Sequence, residues 1–575
     1  MIRGRVRVGV VLILVAVLIA PQQLSGRVAA ALSQVPDAWG SKITWRTTDG
    51  WYAAPIHGSL MPDGRILFLG LKASTEDLTK SSSLRTAWIF TPPPVPGPFP
   101  AEMTISELIQ PVEGNAQASG NYLVYDMLNC SGHALTADGK FFSAGGERLF
   151  INSTNGQLAG VVGLRYATVF DGTSWTRVPG YMAGAPPSGE SARWYPTVTR
   201  LADNRLLITS GFDKVSPTPS VNLTAEIYDP AAQSYSLVSP FGQTPTEIYS
   251  GNYTHIGLLP VKAGGADLVE FGSPGVPAFM SLSSSPASWR LSSHFRPGSE
   301  TWNQARLANG GNYQYDMAPD YGASSVMLPI RVNDGDLGYG NGTMLIAGGA
   351  FNTQFVQQVD RYDPQTDGWL SSLDQGVQRH DPGTIVLPDG RVLIIGGDST
   401  DPNVTRAEYV DPLTNFAVTL GVSDGVEVRG YHNVSLLLPD GRVIIAGGRD
   451  IVTGGSAEKP SFRMYYPQYM YVADRPAITN APSNLSFGQG FPLSGSNRPP
   501  AMAMLISLGS MTHSFDENQR AVELAVNSTS IQPGGGWGAT LTAPASPQIA
   551  PAGYYMLFVT DGRRIPSMAK IVKLG

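Results

Sequence analysis

Thiol chemistry is nearly absent from this chain. Its 575 residues include one cysteine, Cys130, so no disulfide can close within it. Charge is sparse as well: Asp, Glu, Lys and Arg make up 15% of the residues, and 39 basic against 45 acidic side chains leave a formal net charge of −6. That balance lacks the basic footprint of a nucleic-acid binder, so no nucleic-acid partner is expected. Beyond the first thirty residues no apolar run is long enough to span a bilayer, and no sustained 3.6-residue period marks an amphipathic helix. What the chain does hold is Gly 65, Pro 45, Tyr 23 and Trp 10, the composition of a turn-rich β protein rather than a helical or disordered one.

The start of the chain reads as an export signal. Arg3, Arg5 and Arg7 precede an apolar run from Val8 to Ala20, with small residues at Val28-Ala29-Ala30 where cleavage is expected. Residues 1–30 are therefore read as a signal peptide or an uncleaved signal anchor. The protein is expected to be secreted or extracytoplasmic, with membrane association only through such an anchor. A lone thiol in an oxidising compartment is a liability unless something consumes it.

A repeat dominates the next 440 residues or so: a turn, then an apolar strand ending in small residues. Its seven copies begin at Asp63-GRILFLG, Asp138-GKFFSAGG, Asp203-NRLLITSG, Asp267-LVEFG, Asn341-GTMLIAGG, Asp389-GRVLIIGG and Asp440-GRVIIAGG. The fourth lacks the Asp-Gly turn, but Gly264-Gly265 before it can supply the positive φ that such a turn needs. Downstream strands such as Ala225-EIYDP and Ala407-EYVDP carry an aromatic into a second turn. These are the marks of kelch blades, spaced by more than the ~50 residues of a bare repeat. The pattern predicts an all-β chain: a seven-bladed kelch-type β-propeller over 31–474, then an immunoglobulin-like β-sandwich over 475–575.

The residues leading into each inner strand hold the chemistry: His57, Cys130, Arg193-Trp194-Tyr195, Tyr253, His380 and Tyr431-His432. Inner strands of a propeller run in one sense, so these leaders open onto one end of the channel. His133 makes a Cys-x-x-His pair with Cys130, but no second pair completes a zinc set, so a supporting contact is expected instead. His57, His255 and His380 are expected either to line the mouth or to hydrogen-bond between blades.

From about Trp45 onward the chain resembles the galactose oxidase and glyoxal oxidase family of mononuclear copper radical oxidases. The resemblance rests on Asp126-MLNCSG, Ser191-ARWYPTVTRL, Gly430-YHNVSLLLPDGR, Met511-THSFDENQR and Pro551-AGYYMLFVTDGRRIPSMAKI, and its Arg-Trp-Tyr-Pro form is closer to the glyoxal oxidase branch. It implies one copper ion, with Tyr195, Tyr431, His432 and His513 as metal ligands. It also implies a self-derived cofactor, a Cys130–Tyr195 thioether whose tyrosyl radical sits on Tyr195, which would consume the lone thiol. Two imidazoles and two phenolates suit Cu(II).

The activity implied is two-electron oxidation of an alcohol or hydrated aldehyde, with O2 reduced to H2O2. Tyr431 would be the base for the substrate hydroxyl, and the Tyr195 radical would take the carbon-bound hydrogen. His513, from the C-terminal domain, would reach the copper through or along the propeller axis. Two departures stand out. The galactose oxidase tryptophan that stacks on the cross-linked tyrosine has no counterpart in Ser210-GFDKV, which leaves Trp194 and Trp302 as either substitutes or ordinary packing. The sugar-holding arginine has no match around Tyr253-THIG, and with the first repeat so close to the export signal no N-terminal carbohydrate-binding domain is expected. Small alcohols, aldehydes or glycan ends are therefore expected before galactose, and a monomer is expected. The alternative reading is a non-catalytic kelch propeller that binds glycan or protein at the cell surface, or serves as a wall component. A degenerate binder of that kind is expected to have lost one of the five residues kept here.

Overall fold

The computed structural model describes residues 38–73, 84–94, 100–108, 115–155, 157–182, 192–214, 220–222, 224–238, 253–271, 277–282, 287–298, 322–332, 342–351, 354–370, 372–374, 376–412, 418–423, 427–452 and 457–575. The signal expected over 1–30 and Trp302 lie outside these residues. Among the described residues the chain is all-β, and its helical turns are the two 3-10 segments Pro402–Thr405 and Gln468–Tyr471. No helix among them is long and apolar enough to cross a membrane.

The repeats fold as antiparallel meanders. One runs Thr197–Arg200, Leu206–Thr209, Glu226–Asp229 and Ser234–Leu237, each strand pairing with the next. The same order recurs in Ile256–Ala263 to Ser288–Leu291 and in His380–Val386 to Val418–Ser423. The last meander, Asn433–Leu437, Val443–Gly447 and Ser461–Tyr466, is completed from the other end of the region: Ala38–Trp39 and Ile43–Thr47 both pair with Ser461–Tyr466. Beyond it, the four-stranded sheet holding Gly490–Ser496 and Trp537–Thr542 faces a five-stranded sheet holding Met502–Ser507 and Gly553–Thr560. Leu493, Trp537 and Leu541 share one apolar core with Leu505, Leu557 and Val572.

The repeated turn shows why its residues recur. Asp389 accepts from the Arg391 backbone N–H at 3.0 Å and from its guanidinium at 2.7 Å, while Gly390 takes the positive φ between them. Asp440 and Arg442 repeat the arrangement. The fourth repeat turns on Gly264 and Gly265, at φ 56° and 86°, in place of Asp-Gly. The di-glycine ends are needed for close approach: a Cβ on Gly145 or Gly348 would meet the carbonyl oxygen of Arg193 or Arg379 at 2.4 Å. Those arginines recur too. Arg193–Glu226, Arg296–Asp360 and Arg379–Glu408 are ion pairs at 2.7 Å with no solvent exposure, in which removing one partner strands the other's charge at a cost of about 3–5 kcal/mol.

One hairpin of the C-terminal region leaves its own sheets and inserts between repeats. Ser510–Thr512 pairs with Tyr52–Leu60, and Phe515–Asp516 pairs with Ala323–Met327. Thr512 and Phe515 are register partners, so His513 and Ser514 form the two-residue tip. Both have positive φ, 44° and 68°, as a tight hairpin turn with the strands' own twist demands.

Candidate metal centre

The hairpin tip brings His513 to the leaders of three meanders. Its ring centroid lies 5.0 Å from Tyr195, 5.0 Å from Tyr431, 4.5 Å from His432 and 4.5 Å from Tyr253. The Tyr195 and Tyr431 hydroxyls are 2.6 Å apart. Cys130, 4% exposed, sits on the strand Tyr122–Leu135 at a register break between Met127 and Ser131, and its carbonyl accepts from the Tyr195 N–H at 2.9 Å. Its sulfur and the imidazole nitrogens of His432 and His513 lie within 4.8 Å of one another. All five residues expected at the site are therefore brought together.

Four of these five residues share an uncommon backbone conformation. Cys130, Tyr195, His432 and His513 have φ of 59°, 68°, 71° and 44°, and Tyr253 has 22°. Few non-glycine residues adopt this region, and each instance costs of order 1–3 kcal/mol that surrounding packing must offset. A strand alternates its side chains between two faces. A left-handed residue breaks that alternation and turns the side chain into the space between meanders.

Each imidazole is oriented through Nδ1, His432 by Glu458 Oε1 at 2.6 Å and His513 by Thr512 Oγ1 at 2.6 Å. The Nε2 atoms of both are buried without a hydrogen-bond partner. Burial holds both rings well below the ordinary histidine range, aided by the Arg449 charge at each and by the His432–His513 proximity at His513. They are thus neutral, with free lone pairs, which is the state a metal requires. Burial, then Cys130 and Tyr431, push the Tyr195 hydroxyl well up, so in the metal-free protein it keeps its proton. Burial and the Glu147 carboxyl likewise push the Cys130 thiol up, against weaker pulls from Tyr195 and Trp194. Two imidazole nitrogens beside two neighbouring phenol oxygens are a donor set that fits Cu(II), and two otherwise unsatisfied buried nitrogens are what such an ion would relieve.

Neighbours complete the site, among them Arg449 and Glu458, which sequence reasoning did not single out. Arg449 lies over the Tyr431 ring at 4.7 Å, Glu458 orients His432, and Tyr253 donates to the Ser131 carbonyl at 3.1 Å. Glu458 lies in a loop with no motif, and its role could not be read from spacing. Trp194 stacks on Tyr195, with centroids 4.1 Å apart and planes inclined 26°. The stretch Ser210-GFDKV presents Phe212, whose backbone exchanges two hydrogen bonds with Trp194.

For His57, His255 and His380 the sequence left two expectations open, lining the mouth or hydrogen bonding between repeats, and the structure shows all three in buried polar contacts. His57 Nε2 accepts from the Cys130 N–H at 2.7 Å, its Nδ1 lies 3.0 Å from His133 Nε2, and His133 Nδ1 lies 2.7 Å from Ser510 Oγ. His255 stacks on Phe515 and bonds Ser325 Oγ at 2.7 Å. His380 lies between two carboxylates. All three are buried, His57 and His255 in hydrogen bonds to neighbouring repeats and His380 against carboxylates of its own meander.

Comparison with known proteins gives the same direction. The family model described as "Galactose oxidase-like, Early set domain" matches residues 475–574. An aldehyde oxidase of Vitis pseudoreticulata is 30% identical over 302 residues, 46% of this chain and 55% of that protein. A galactose oxidase of Gibberella zeae is 30% identical over 204 residues, 33% of this chain and 28% of that one. The chain thus spans about half or less of these curated relatives' lengths. A fungal alcohol oxidase solved in complex with copper shares the fold, at TM-score 0.64 and 17% identity, over 94% of this chain and 99% of that one. By these likenesses residues 475–574 match a galactose oxidase-like early set domain, and the chain is similar in part of its sequence to aldehyde and galactose oxidases and in its fold to a fungal alcohol oxidase.

Proposed function

We propose that this protein is a copper radical oxidase that removes two electrons and two protons from a small alcohol or hydrated aldehyde and passes them to O2, giving H2O2. The observation that carries the reading is the pair of neutral, partnerless Nε2 atoms on His432 and His513 converging with two phenol hydroxyls 2.6 Å apart. The seven repeats are read as seven propeller blades and the two C-terminal sheets as an immunoglobulin-like sandwich, with the domain boundary at 474/475 and export directed by residues 1–30.

His432, His513, Tyr195 and Tyr431 would hold one copper ion, which when bound supplies a one-electron acceptor and acidifies a substrate hydroxyl. Tyr431 Oη takes that hydroxyl proton, and the Arg449 guanidinium lies over its ring. Tyr195, joined through a thioether to Cys130, takes the carbon-bound hydrogen at Oη. Trp194 covers one face of the Tyr195 ring and shields it from solvent. No arginine stands in Tyr253-THIG to match the one that helps galactose oxidase hold its sugar, which favours small substrates over galactose.

Aerobic copper loading followed by intact mass and a coupled peroxide assay over alcohols and aldehydes tests the reading. The expected result is loss of two hydrogens, absent in Cys130→Ser and Tyr195→Phe, together with peroxide production. An unchanged mass in copper-loaded wild type overturns the oxidase reading and leaves a binding propeller.

A further inference from the structure

A second cluster of ligand-type atoms lies apart from this centre. His380 opens the strand His380–Val386, and Asp398 closes its neighbour Val392–Asp398 as the register partner of His380. Asp381 has φ 53°, which breaks the strand alternation and turns its carboxylate back toward the His380 ring. His380 Nδ1 is 2.8 Å from Asp381 Oδ2 and 3.5 Å from Asp398 Oδ1, and the three donor atoms lie within 4.8 Å of one another. All three residues are at most 3% exposed.

An ion triad alone accounts poorly for this arrangement. Among the described residues Asp381 Oδ2 and Asp398 Oδ1, both buried, have no hydrogen-bond donor other than the His380 Nδ1 they share. Among the described residues neither carboxylate pairs with an arginine or lysine. Protonating His380 between two carboxylates leaves one negative charge buried, a costly state. A divalent ion on neutral His380 and two carboxylates closes the balance. Ligand atoms ~2.0–2.2 Å from a tetrahedral ion lie roughly 3.3–3.6 Å apart, a spacing that small adjustments here would reach.

We propose that His380 Nδ1, Asp381 Oδ2 and Asp398 Oδ1 form a second, structural metal site for a divalent ion with mixed nitrogen and oxygen preference, Zn2+ or Mn2+. The ion would brace the segments that carry two residues of the first centre. The Asp381 carbonyl accepts from Asn433, next to His432, at 2.6 Å, and its Oδ1 faces the hydroxyl of Ser514, next to His513, at 3.4 Å.

The test loads wild-type protein with copper, removes loosely bound metal, titrates with ZnCl2 or MnCl2, and measures copper, zinc and manganese by elemental analysis. One retained equivalent of Zn2+ or Mn2+ beyond the copper is expected, with a higher thermal midpoint. Asp398→Asn and His380→Gln should keep their copper and lose both the second equivalent and the shift. Wild type that retains neither ion overturns the proposal without reference to any variant, and so does retention of the second ion by either substituted protein. Failure of the copper reading shows separately, as absent copper in wild type.

Discussion

At His513 two demands oppose each other: the residue must hold a left-handed φ of 44° at a hairpin tip, and it must bury an imidazole nitrogen without a partner. Glycine removes both demands, since left-handed backbone costs an ordinary residue about 1–2 kcal/mol, and the entropic cost of glycine itself is about 0.5–1 kcal/mol. His513→Gly is therefore expected to leave the unfolding free energy of the metal-free protein within about 1 kcal/mol of wild type while abolishing copper retention. Urea unfolding and elemental analysis read the two effects. A loss of more than about 2 kcal/mol would show that His513 is a packing residue first. The identities of the five central residues were legible as motifs. The positive φ of Cys130, Tyr195, His432 and His513 was not, because a single left-handed residue is imposed by the strands around it rather than by local propensity.

Elements explain how Cys130 is presented. Because its N–H donates to His57 Nε2, His57 carries its proton on Nδ1 and donates to His133 Nε2, which leaves His133 to donate from Nδ1 to Ser510 Oγ. Burial favours this neutral pair, holding His57 well below its ordinary range and His133 down at about 3. The relay joins the strands Tyr52–Leu60 and Tyr122–Leu135 to the inserted hairpin, and it fixes the Cys130 turn from its N–H side while the Tyr195 N–H fixes the carbonyl side. His57→Phe leaves a buried N–H unsatisfied, at a cost of about 1–3 kcal/mol. Losing about 1.4 kcal/mol of positioning slows a step tenfold, so cross-link formation should slow by roughly that factor, followed as the time course of two-hydrogen loss. Maturation at the wild-type rate would make His57 a bystander. The repeat turns were legible because Asp, Gly and Arg act within three residues. The relay was not, since its partners are 76 and 377 positions apart and meet only once the hairpin is inserted.

Across the whole molecule the chain clasps itself: its first described strands finish the last meander, and the C-terminal hairpin lies between the strands Tyr52–Leu60 and Ala323–Met327. This leaves many ionisable groups dry, and above pH 6.5 they act in one direction. Burial pushes Glu147 and Glu458 up to about 8 and Glu517 well above its ordinary value, while Asp381 and Asp398 outweigh burial at His380 and raise it to about 10. In the unfolded chain these carboxyls have lost their protons by pH 6.5, and the histidine loses its own near there. The folded state therefore binds more protons between pH 6.5 and 8, and stability must fall as pH rises through that window, by up to about 1.4 kcal/mol per pH unit for each group. The buried neutral histidines do not oppose this, because their depressed values affect stability only below about pH 6.5. Urea unfolding of metal-free protein at pH 6.5, 7.25 and 8 is expected to show a declining free energy. A flat or rising profile would mean that these carboxyls ionise in the folded state, and that the space around Glu147 and Glu458 beside the metal centre is wet rather than dry.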